Sequence, residues 1–523
     1  CVQENSRLYI YHQPFLERSP GSSGKNLIKI IAMQLYRLIE VLETSKVTGS
    51  QSREIAFICN DSRKVLEGCL FVAIRGTQTD GHLFISQAVR QGAAAVVYQQ
   101  GCLPDEKLIK ESCPGTTFIQ VQDSGRALAL LAGAWYGHPS AKMVLVGVTG
   151  TNGKTTTATL LYRMFSQLGH KCGLISTIAY YIDRDQVSAT HTTPDALTIN
   201  SLLDKMLDAG CTHCFMEVSS HSVVQERIAG LCFVGGIFTN LTHDHLDYHK
   251  TFAAYRDAKK RFFDMLPSGA FALTNQDDRN GLVMVQNCAA RSYTYACRTM
   301  ADFNARVLEH SVDGMQLSID GIEVWTSFIG LHNAYNLLAV YACAMILQQS
   351  GEETLRILSG LGTVSGRMEY IRGGDNLTAV VDYSHTPDAL KNALLTLKEL
   401  IRPGQELICV VGCGGNRDTT KRPLMARIAD QYADLCIFTS DNPRFEDPEA
   451  ILDQMMAGLS PEQQNRHLRI TDRRQAIKTA LKMARPGAII LVAGKGHETY
   501  QDVRGVKNHF DDKEILTEIL KTG

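Results

Sequence analysis

The chain has 523 residues, of which 44% are hydrophobic and 20% are charged, proportions typical of a globular protein. At roughly 150 residues per domain, this length predicts about three to four domains. The 53 Lys and Arg residues nearly balance the 54 Asp and Glu residues, which argues against a broad face for nucleic acid or a membrane surface. No apolar run reaches the roughly 20 residues of a membrane-spanning helix. We therefore expect neither a nucleic-acid partner nor a membrane partner.

The first 32 residues have a poor structural pattern. They include the flexible stretch Ser19–Gly24 and lack an apolar signal region. Met33 opens a better helical pattern, so we predict that Met33 is the natural start and that 1–32 is an extension or a disordered tail. Fifteen cysteines without a signal peptide indicate free thiols in a reducing compartment, and the predicted location is the cytoplasm.

Three segments with different patterns follow. Residues 33–140 combine short buried strands with a helix and end at the breaker His138-Pro139-Ser140. Residues 141–366 alternate apolar strands with helices, then turn to β alternation after 302. Residues 367–523 form a second alternating α/β series. The predicted fold is α/β in three domains: a small mixed N-terminal domain, a central parallel-sheet domain of the P-loop ATPase type, and a Rossmann-like C-terminal domain.

A glycine-rich loop joins a buried strand, Met143–Val146, to an amphipathic helix that begins at Lys154. Its sequence, Gly147–Thr156, departs from GxxxxGK[ST] at Val148, but the strand–loop–helix context is that of a phosphate-binding loop. Backbone N–H groups would face phosphate oxygens, Lys154 would reach the β- and γ-phosphates, and Thr155 would ligate Mg²⁺. The loop alone does not distinguish a kinase, a GTPase, a motor or a ligase.

Further segments appear in a fixed order along the chain. Thr149–Thr155 resembles the ATP loop of the Mur ligase family, and later segments resemble its other motifs. These segments are Met216–His221, Asn240–His249, Gly330–Asn336 and Asp382–Pro387. The resemblance covers about 33–520 and leaves out only the N-terminal tail.

The resemblance implies an enzyme of peptidoglycan synthesis whose three domains bind, in order, a UDP-linked substrate, ATP and an incoming amino acid. Within the family, Gly412–Asp418 and Asp441–Arg444 resemble the member that adds meso-2,6-diaminopimelate to UDP-N-acetylmuramoyl-L-alanyl-D-glutamate. The resemblance implies that ATP converts the D-glutamate side-chain carboxylate to an acyl phosphate, which the amine of the incoming amino acid then attacks. Positioning and charge neutralisation would carry most of the catalysis, because both reactants are anionic. We expect a monomer.

For the catalytic centre, the resemblance implies Lys154, Glu217, His245 and Lys259. Mg²⁺ would be held by Thr155, Glu217, His245 and a carbamate formed by CO₂ on Lys259, which turns a cation into an oxygen ligand. Lys260 is the alternative to Lys259, but Lys259 has the family's spacing of four residues after Tyr255. The predicted ATP-binding residues are Gly150, Thr151, Asn152, Gly153, Lys154, Thr155, Thr156, Asn333 and Asp382.

The resemblance also assigns residues to the nucleotide-sugar peptide. Two loops offer short polar donors suited to uracil and diphosphate, whereas composition alone would describe them as turns. Other positions match those that hold the muramoyl-peptide, although His191 stands where the family pattern often has Asn. The residues for this substrate are Asn60, Ser62, Thr77, Gln78, Thr79, Thr192, Thr193, Ser219, Gln225 and Arg227.

Polar residues of the last domain follow the ends of four predicted strands. Ligands of open α/β sheets bind at the carboxyl ends of strands, so this placement supports a single site independently of the resemblance. Arg417 and Arg444 suit carboxylates, and Glu498 suits an ammonium group. The predicted amino-acid-binding residues are Arg417, Asp441, Asn442, Pro443, Arg444, Gly494 and Glu498.

Other interpretations remain at this point. A folylpolyglutamate synthetase would not need the N-terminal uridine-binding domain, and a lysine-adding muramoyl ligase would not be expected to carry Arg444 in this setting. From a different class, a P-loop regulator would bind nucleotide without forming a bond. Phosphate release that depends on both the amino acid and the nucleotide-peptide would exclude such a regulator.

Overall fold

The computed structural model describes 32–42, 46–76, 79–102, 107, 111, 115–242, 244 and 246–522. The predicted tail, 1–32, therefore lies outside the described residues except for its last residue. The described residues divide into two compact units. One comprises 194–208 and 221–232 together with the described residues up to 142; the other comprises 143–193, 209–220 and those from 233 onward. Among the described residues, no helix is long and apolar enough to cross a membrane.

The N-terminal part of the chain builds a five-stranded sheet in the order β2-β7-β6-β5-β4, in which only β2 pairs antiparallel. The alternation of buried strands and helices in this segment is the pattern expected from the sequence. The strands of this sheet are β2 (Lys46–Thr48), β4 (Phe57–Cys59), β5 (Cys69–Val72), β6 (Ala95–Gln99) and β7 (Thr117–Val121). A separate antiparallel pair is formed by β1 (Met33–Gln34) and β3 (Glu54–Ile55). The helices are α1 (Leu35–Ile39), α2 (Ile85–Arg90) and α3 (Ser124–Trp135).

The middle part contributes an eleven-stranded sheet in the order β11-β10-β9-β12-β8-β13-β14-β15-β16-β17-β18. In this spatial order, neighbouring strands from β9 through β12, β8, β13, β14 and β15 to β16 run parallel. Antiparallel strands extend both edges: β10 and β11 beyond β9, and β17 and β18 beyond β16. The strands are β8 (Val144–Thr149), β9 (Cys172–Ile175), β10 (Ala179–Ile182), β11 (Asp185–Ser188), β12 (His213–Glu217), β13 (Gly235–Phe238), β14 (Phe271–Asn275), β15 (Arg291–Ala296), β16 (Phe303–Ser311), β17 (Gly314–Ile319) and β18 (Ile322–Thr326). The β alternation predicted after 302 is confirmed as the last three of these strands.

Helices connect and cover these strands. They are α4 (Lys154–Gln167), α5 (Ala196–Asp208), α6 (Ser220–Val224), α7 (Leu246–His249), α8 (Phe252–Asp264), α9 (Gly281–Val285), α10 (Leu331–Ile346) and α11 (Gly351–Gly360). Helix α5 belongs to the first unit, where Ala196 is buried with Ala129 and Ala132 of α3. Small side chains on both helices allow this close packing.

The C-terminal part builds a six-stranded sheet in the order β19-β20-β24-β21-β22-β23, parallel except for β19. Its strands are β19 (Glu369–Arg372), β20 (Thr378–Asp382), β21 (Leu407–Val411), β22 (Leu435–Phe438), β23 (Leu468–Arg469) and β24 (Ile489–Ala493). A separate antiparallel pair follows, β25 (Tyr500–Val503) and β26 (Val506–His509). The helices are α12 (Pro387–Leu400), α13 (Lys421–Tyr432), α14 (Pro448–Met456), α15 (Pro461–Asn465), α16 (Arg473–Met483) and α17 (Asp512–Thr522). The predicted class, α/β in three domains with two parallel-sheet domains, is confirmed; the exact domain bounds stay a prediction.

Candidate functional site

The loop between β8 and α4 has the backbone of a phosphate-binding loop. A Cβ at Gly150, where φ is +150°, would lie 1.9 Å from Thr239 Oγ1, so this position requires glycine. The N–H groups of Thr151 and Asn152 donate to the backbone oxygen and the side-chain oxygen of Asn240, at 2.8 and 2.9 Å. These bonds hold the loop at the positive end of a 14-residue helix, a place that favours anions.

Two lysines meet at this loop. Lys154 Nζ donates to the carbonyl oxygens of Gly150 and Thr151, at 3.0 and 2.9 Å, and Lys259 Nζ donates to the same Gly150 oxygen at 2.7 Å. Burial lowers the pKa of Lys154. Burial and, next, the charge of Lys154 lower the pKa of Lys259 well below its usual range. A neutral amine is the form that reacts with CO₂.

The structure also distinguishes the two neighbouring lysines of α8. Lys259 is 1% exposed and its Nζ lies 4.7 Å from the centre of the Tyr255 ring, one helical turn away. Lys260 instead forms an ion pair with Asp264, whose side chain is exposed. Of the two lysines, only Lys259 faces the loop, so the spacing argument made from the sequence selected the buried one.

Glu217 ends β12 with its side chain fully buried. One carboxylate oxygen accepts from the Thr177 N–H at 2.7 Å, and the other, Oε2, is buried without a hydrogen-bond partner among the described residues. The parallel pairing of β12 with β8 aligns Glu217 with Val148, two residues before Gly150. A buried carboxylate oxygen with no partner beside a phosphate-binding loop has the chemistry of a Mg²⁺ ligand.

The remaining predicted metal ligands have different outcomes. Thr155 is buried in the first turn of α4, and its hydroxyl accepts from Arg367 Nη2 at 3.2 Å. His245 lies outside the described residues. The unpartnered oxygen of Glu217 and the hydroxyl of Thr155 fit a hard divalent cation. Lys259 would fit only as a carbamate, because an ammonium group repels a cation.

Two predicted ATP-binding residues come from distant parts of the chain. Asn333 is buried near the start of α10 and accepts from Asn336 Nδ2 at 3.0 Å; Asn336 in turn accepts from the Thr157 hydroxyl of α4 at 3.4 Å. Asp382, at the end of β20, accepts from the Met368 N–H at 2.8 Å and from the Ser384 hydroxyl. Asn333 is thus linked to the loop helix, whereas Asp382 organises the start of the C-terminal sheet.

The predicted uridine-binding residues lie in the first unit. Asn60 and Ser62 follow β4, and Thr79 lies in the turn after β5, where its carbonyl oxygen accepts from the Gly76 N–H at 3.1 Å. Because β4 and β5 are parallel neighbours, both loops lie at the same edge of the sheet. Thr77 and Gln78 lie outside the described residues.

The residues predicted to hold the muramoyl-peptide divide between the two units. In the first unit, Arg227 Nη2 donates to Gln225 Oε1 at 2.6 Å. In the second, the Thr193 hydroxyl donates to the Glu217 carbonyl oxygen at 2.8 Å and accepts from the Ser219 N–H at 3.1 Å. The Thr192 hydroxyl accepts from Thr177 at 3.0 Å, so this group surrounds the end of β12.

The polar residues of the C-terminal sheet come together as predicted. Glu498 Oε2 accepts from Asn442 Nδ2 at 2.7 Å and from Lys495 Nζ at 3.3 Å; Lys495 Nζ also donates to Asn442 Oδ1 at 3.1 Å. Asp441 and Asn442 are buried after β22, and Gly494 follows β24. The cluster places an anionic group, Glu498, beside buried polar side chains at the carboxyl ends of parallel strands.

The two predicted arginines of this sheet differ in exposure. Arg417 is exposed, whereas Arg444 is half-buried and its Nη1 donates to the Gly415 carbonyl oxygen at 2.8 Å. Arg444 has a φ of +53°, directly after the buried Pro443. The structure therefore gives the Arg444 guanidinium a defined position beside the loop that carries Arg417.

Sequence reasoning missed three positively charged residues. Arg367 joins the Thr155 hydroxyl to the Tyr383 ring, whose centre lies 4.6 Å from the guanidinium carbon. Lys495 and Arg422 are fully buried beneath the C-terminal loops. A glycine precedes both Arg367 and Lys495, but these short patterns are common, so their separate signals were too weak to select them.

Comparison with known proteins agrees with this geometry. Three family models match: the Mur ligase middle domain over 148–344, the Mur ligase glutamate ligase domain over 366–496, and the catalytic domain of the Mur ligase family over 54–136. A UDP-N-acetylmuramoyl-L-alanyl-D-glutamate–2,6-diaminopimelate ligase from Parabacteroides distasonis is 54% identical over 94% of this chain and 99% of its own.

Two further similarities extend over most of the chain. The enzyme of the same name from Cytophaga hutchinsonii is 52% identical over 94% of this chain and 99% of its own. A solved structure of a UDP-N-acetylmuramoyl-L-alanyl-D-glutamate–2,6-diaminopimelate ligase is 30% identical, has a TM-score of 0.66, and covers 94% of this chain and 99% of its own. With the family's domains matched in order on a P-loop sheet and a second parallel sheet, this chain belongs to the Mur ligase family.

Proposed function

We propose that this protein uses ATP to join meso-2,6-diaminopimelate to UDP-N-acetylmuramoyl-L-alanyl-D-glutamate in the cytoplasm. One observation carries the proposal furthest: a single compact unit holds both the P-loop group of Lys154, Glu217 and Lys259 and the cluster of Asn442 and Glu498. The first group suits phosphoryl transfer and the second suits an amino acid. The names of the similar enzymes support the same reaction.

The chemistry needs two displacements. An oxygen of the D-glutamate side-chain carboxylate attacks the γ-phosphorus of ATP, the bond to the β-phosphate oxygen breaks, and ADP leaves. The diaminopimelate amine then attacks the acyl carbon, inorganic phosphate leaves, and the amine loses a proton to solvent. Backbone N–H groups of the loop and Lys154 would neutralise the phosphate charge during the first displacement.

Mg²⁺ would be held by Thr155, Glu217 and Lys259 as its carbamate, with His245 as a further proposed ligand. The buried, unpartnered Oε2 of Glu217 supports this assignment. Bound Mg²⁺ supplies charge neutralisation at the phosphate oxygens. Burial and the charge of Lys154 lower the pKa of Lys259, which supports the carbamate because a lowered pKa favours the unprotonated amine that reacts with CO₂.

At the other end of the reaction, the C-terminal cluster would select the amino acid. Glu498 would accept hydrogen bonds from a substrate ammonium group, and the guanidinium of Arg444 would bind the far carboxylate that distinguishes diaminopimelate from lysine.

The loops of Asn60, Ser62 and Thr79, with Thr77 and Gln78, would bind the UDP end of the nucleotide-peptide substrate. Gln225, Arg227, Thr192, Thr193 and Ser219 would hold the muramoyl-peptide.

An ATP-dependent ligation assay tests the proposal. The purified protein is given ATP, Mg²⁺, UDP-N-acetylmuramoyl-L-alanyl-D-glutamate and one of meso-diaminopimelate, L-lysine or L-glutamate, and the peptide product and phosphate are both measured. Product with diaminopimelate alone, and phosphate release that requires all substrates, is the expected result. Preference for lysine would reject the substrate, and phosphate release without product would favour the regulator interpretation.

A further inference from the structure

The two loops that carry Arg417 and Arg444 share one ion pair, between a buried arginine and a half-buried glutamate. We define the first loop as 412–418, after β21, and the second loop as 441–446, after β22. Arg422, at the second position of α13, is fully buried. Its Nη1 and Nη2 donate to both carboxylate oxygens of Glu446, at 2.8 and 3.0 Å. This fork-to-fork geometry fixes both side chains more strictly than a single contact would.

The same pair reaches the backbone of the first loop at two points. Arg422 Nη2 donates to the Gly414 carbonyl oxygen at 3.2 Å, and the Asn416 N–H donates to Glu446 Oε1. A third polar partner, Gln454 of α14, accepts from Arg422 Nη1 at 2.8 Å. An ion pair between α13 and the second loop therefore also holds the loop between β21 and α13.

Backbone contacts bring the loops so close that no side chain fits between them. The Gly415 N–H donates to the Asn442 carbonyl oxygen at 2.9 Å, and a Cβ at Gly415 would lie 1.9 Å from the Pro443 carbonyl oxygen. The guanidinium of Arg444 binds the Gly415 carbonyl oxygen. The position of the Arg444 guanidinium thus depends on where the first loop lies.

The pair also balances charge. Arg422 engages both oxygens of Glu446, so the buried guanidinium and the carboxylate of the second loop neutralise each other. Removing either charge would leave the other uncompensated and loosen the contact between α13 and the second loop.

We propose that Arg422 and Glu446 are positioning residues that set the affinity for the second carboxylate of the amino-acid substrate. They hold the two loops in register, and so fix the Gly415 carbonyl oxygen that the Arg444 guanidinium binds. The inference rests on the proposed function, because it assumes that Arg444 binds diaminopimelate. Neither residue touches the P-loop in the described contacts, so the predicted effect is confined to one of the three substrates.

Two variants test the pair by steady-state kinetics with each substrate varied in turn. Glu446→Gln keeps the shape of the side chain and removes its charge, whereas Arg422→Lys keeps the charge and loses the fork. In each, KM for diaminopimelate should rise at least about tenfold, while KM for ATP and for the nucleotide-peptide stays within about twofold and kcat changes less than KM. If one variant fails to fold, the other carries the test.

Asp430→Asn is the matched control. Asp430 lies on the same helix, α13, and accepts from Gln463, Arg466 and His467, away from both loops. The substitution removes one carboxylate charge from a buried polar cluster, so it shows how a loss of stability in α13 alone affects the kinetics. We expect its KM for diaminopimelate to equal that of the native protein even if its Tm falls.

Arg444→Ala is measured alongside, because it separates failure of the positioning role from failure of the proposed amino-acid site. Unchanged KM for diaminopimelate in both pair variants, with a raised KM in Arg444→Ala, would overturn the positioning role and leave the substrate site intact. An equal rise in KM for all three substrates would also overturn it. An unchanged KM in Arg444→Ala would instead reject the proposed site itself.

Discussion

At the scale of single residues, burial changes what a lysine can do. Lys154 and Lys259 share the Gly150 carbonyl oxygen. Desolvation lowers the pKa of both lysines, and the charge of Lys154 lowers that of Lys259 further. The proposed roles, a phosphate-binding cation for Lys154 and a carbamate for Lys259, follow this difference.

Lys154→Ala is expected to abolish ligation while the fold is retained. Removal of one preorganised positive donor from a transferring phosphoryl group costs about a hundredfold or more in kcat. Product formation and far-UV circular dichroism measure activity and fold together. Turnover near the native rate would remove the assignment of this loop to ATP.

Lys259→Ala is expected to lose at least about tenfold to a hundredfold in activity, the usual cost of disrupting a metal site. Acetate should restore part of the activity, because its carboxylate can replace the carbamate oxygens. Lys260→Ala is the matched control, since Lys260 pairs with Asp264 and not with the loop. Full activity in Lys259→Ala, or equal losses in the two variants, would contradict the carbamate.

Arg444→Ala is expected to weaken the use of diaminopimelate by at least about tenfold to a hundredfold. Loss of one partner of a charge pair costs about 2–5 kcal/mol, and 1.4 kcal/mol is tenfold. The affinity for ATP should change little. The measurement is kcat/KM for diaminopimelate and for lysine, in the native protein and in Arg444→Ala. A native protein that prefers lysine would contradict the proposed specificity for diaminopimelate.

At the scale of elements, the neutral histidine at the start of β12 ties strand stability to pH. The ring of His213 is 8% exposed and packs at 5.2 Å from Phe165 and 4.4 Å from His170, measured between ring centres. Burial and, next, the charge of His170 lower its pKa to about 4. The unfolded chain therefore binds a proton that the folded chain does not, between about pH 6.5 and pH 4.

Acidification should destabilise the second unit through this histidine. From pH 7 to pH 5, its contribution to the free energy of unfolding should fall by about 1–2 kcal/mol. His213→Gln cannot be protonated and should show a correspondingly smaller loss over the same range, although it is less stable at pH 7. Denaturant unfolding of both proteins at the two pH values tests this; equal losses would assign the pH dependence elsewhere.

At the scale of the whole molecule, the P-loop and the C-terminal sheet lie within one compact unit and share Arg367. This residue contacts Thr155 of α4 and the ring of Tyr383 after β20, while its Nε is buried without a partner among the described residues. A cation with an unused donor beside the P-loop is placed to bind a phosphate oxygen.

Arg367→Met is therefore expected to lower kcat/KM for ATP by about tenfold or more, since hydrogen bonds to charged groups contribute about 1.5–3 kcal/mol. Arg372→Met serves as the control, because Arg372 is exposed and pairs with Asp313 away from the loop. A substrate-saturation series in ATP measures both. Equal kinetics in the two variants would show that Arg367 has no part in nucleotide use.

Features that depend on neighbours in the chain could be predicted from the sequence. The P-loop was recognisable because its glycines, Lys154 and the flanking strand and helix are contiguous, and their conformation follows from local sterics and hydrogen bonding. The choice of Lys259 followed from the resemblance, since Lys259 has the family's spacing of four residues after Tyr255. The series of polar residues after apolar strands also predicted a shared edge in the C-terminal sheet.

The contacts that complete the site join residues far apart in the chain. In the C-terminal sheet, β24 is inserted between β20 and β21 although it follows both in the chain. This order brings Lys495 to Asn442, 53 residues away, and a similar long-range approach joins Arg367 to Thr155 across 212 residues. Local patterns predict the strands but not their order, so only the folded chain could show which charges meet, as Arg422 and Glu446 do.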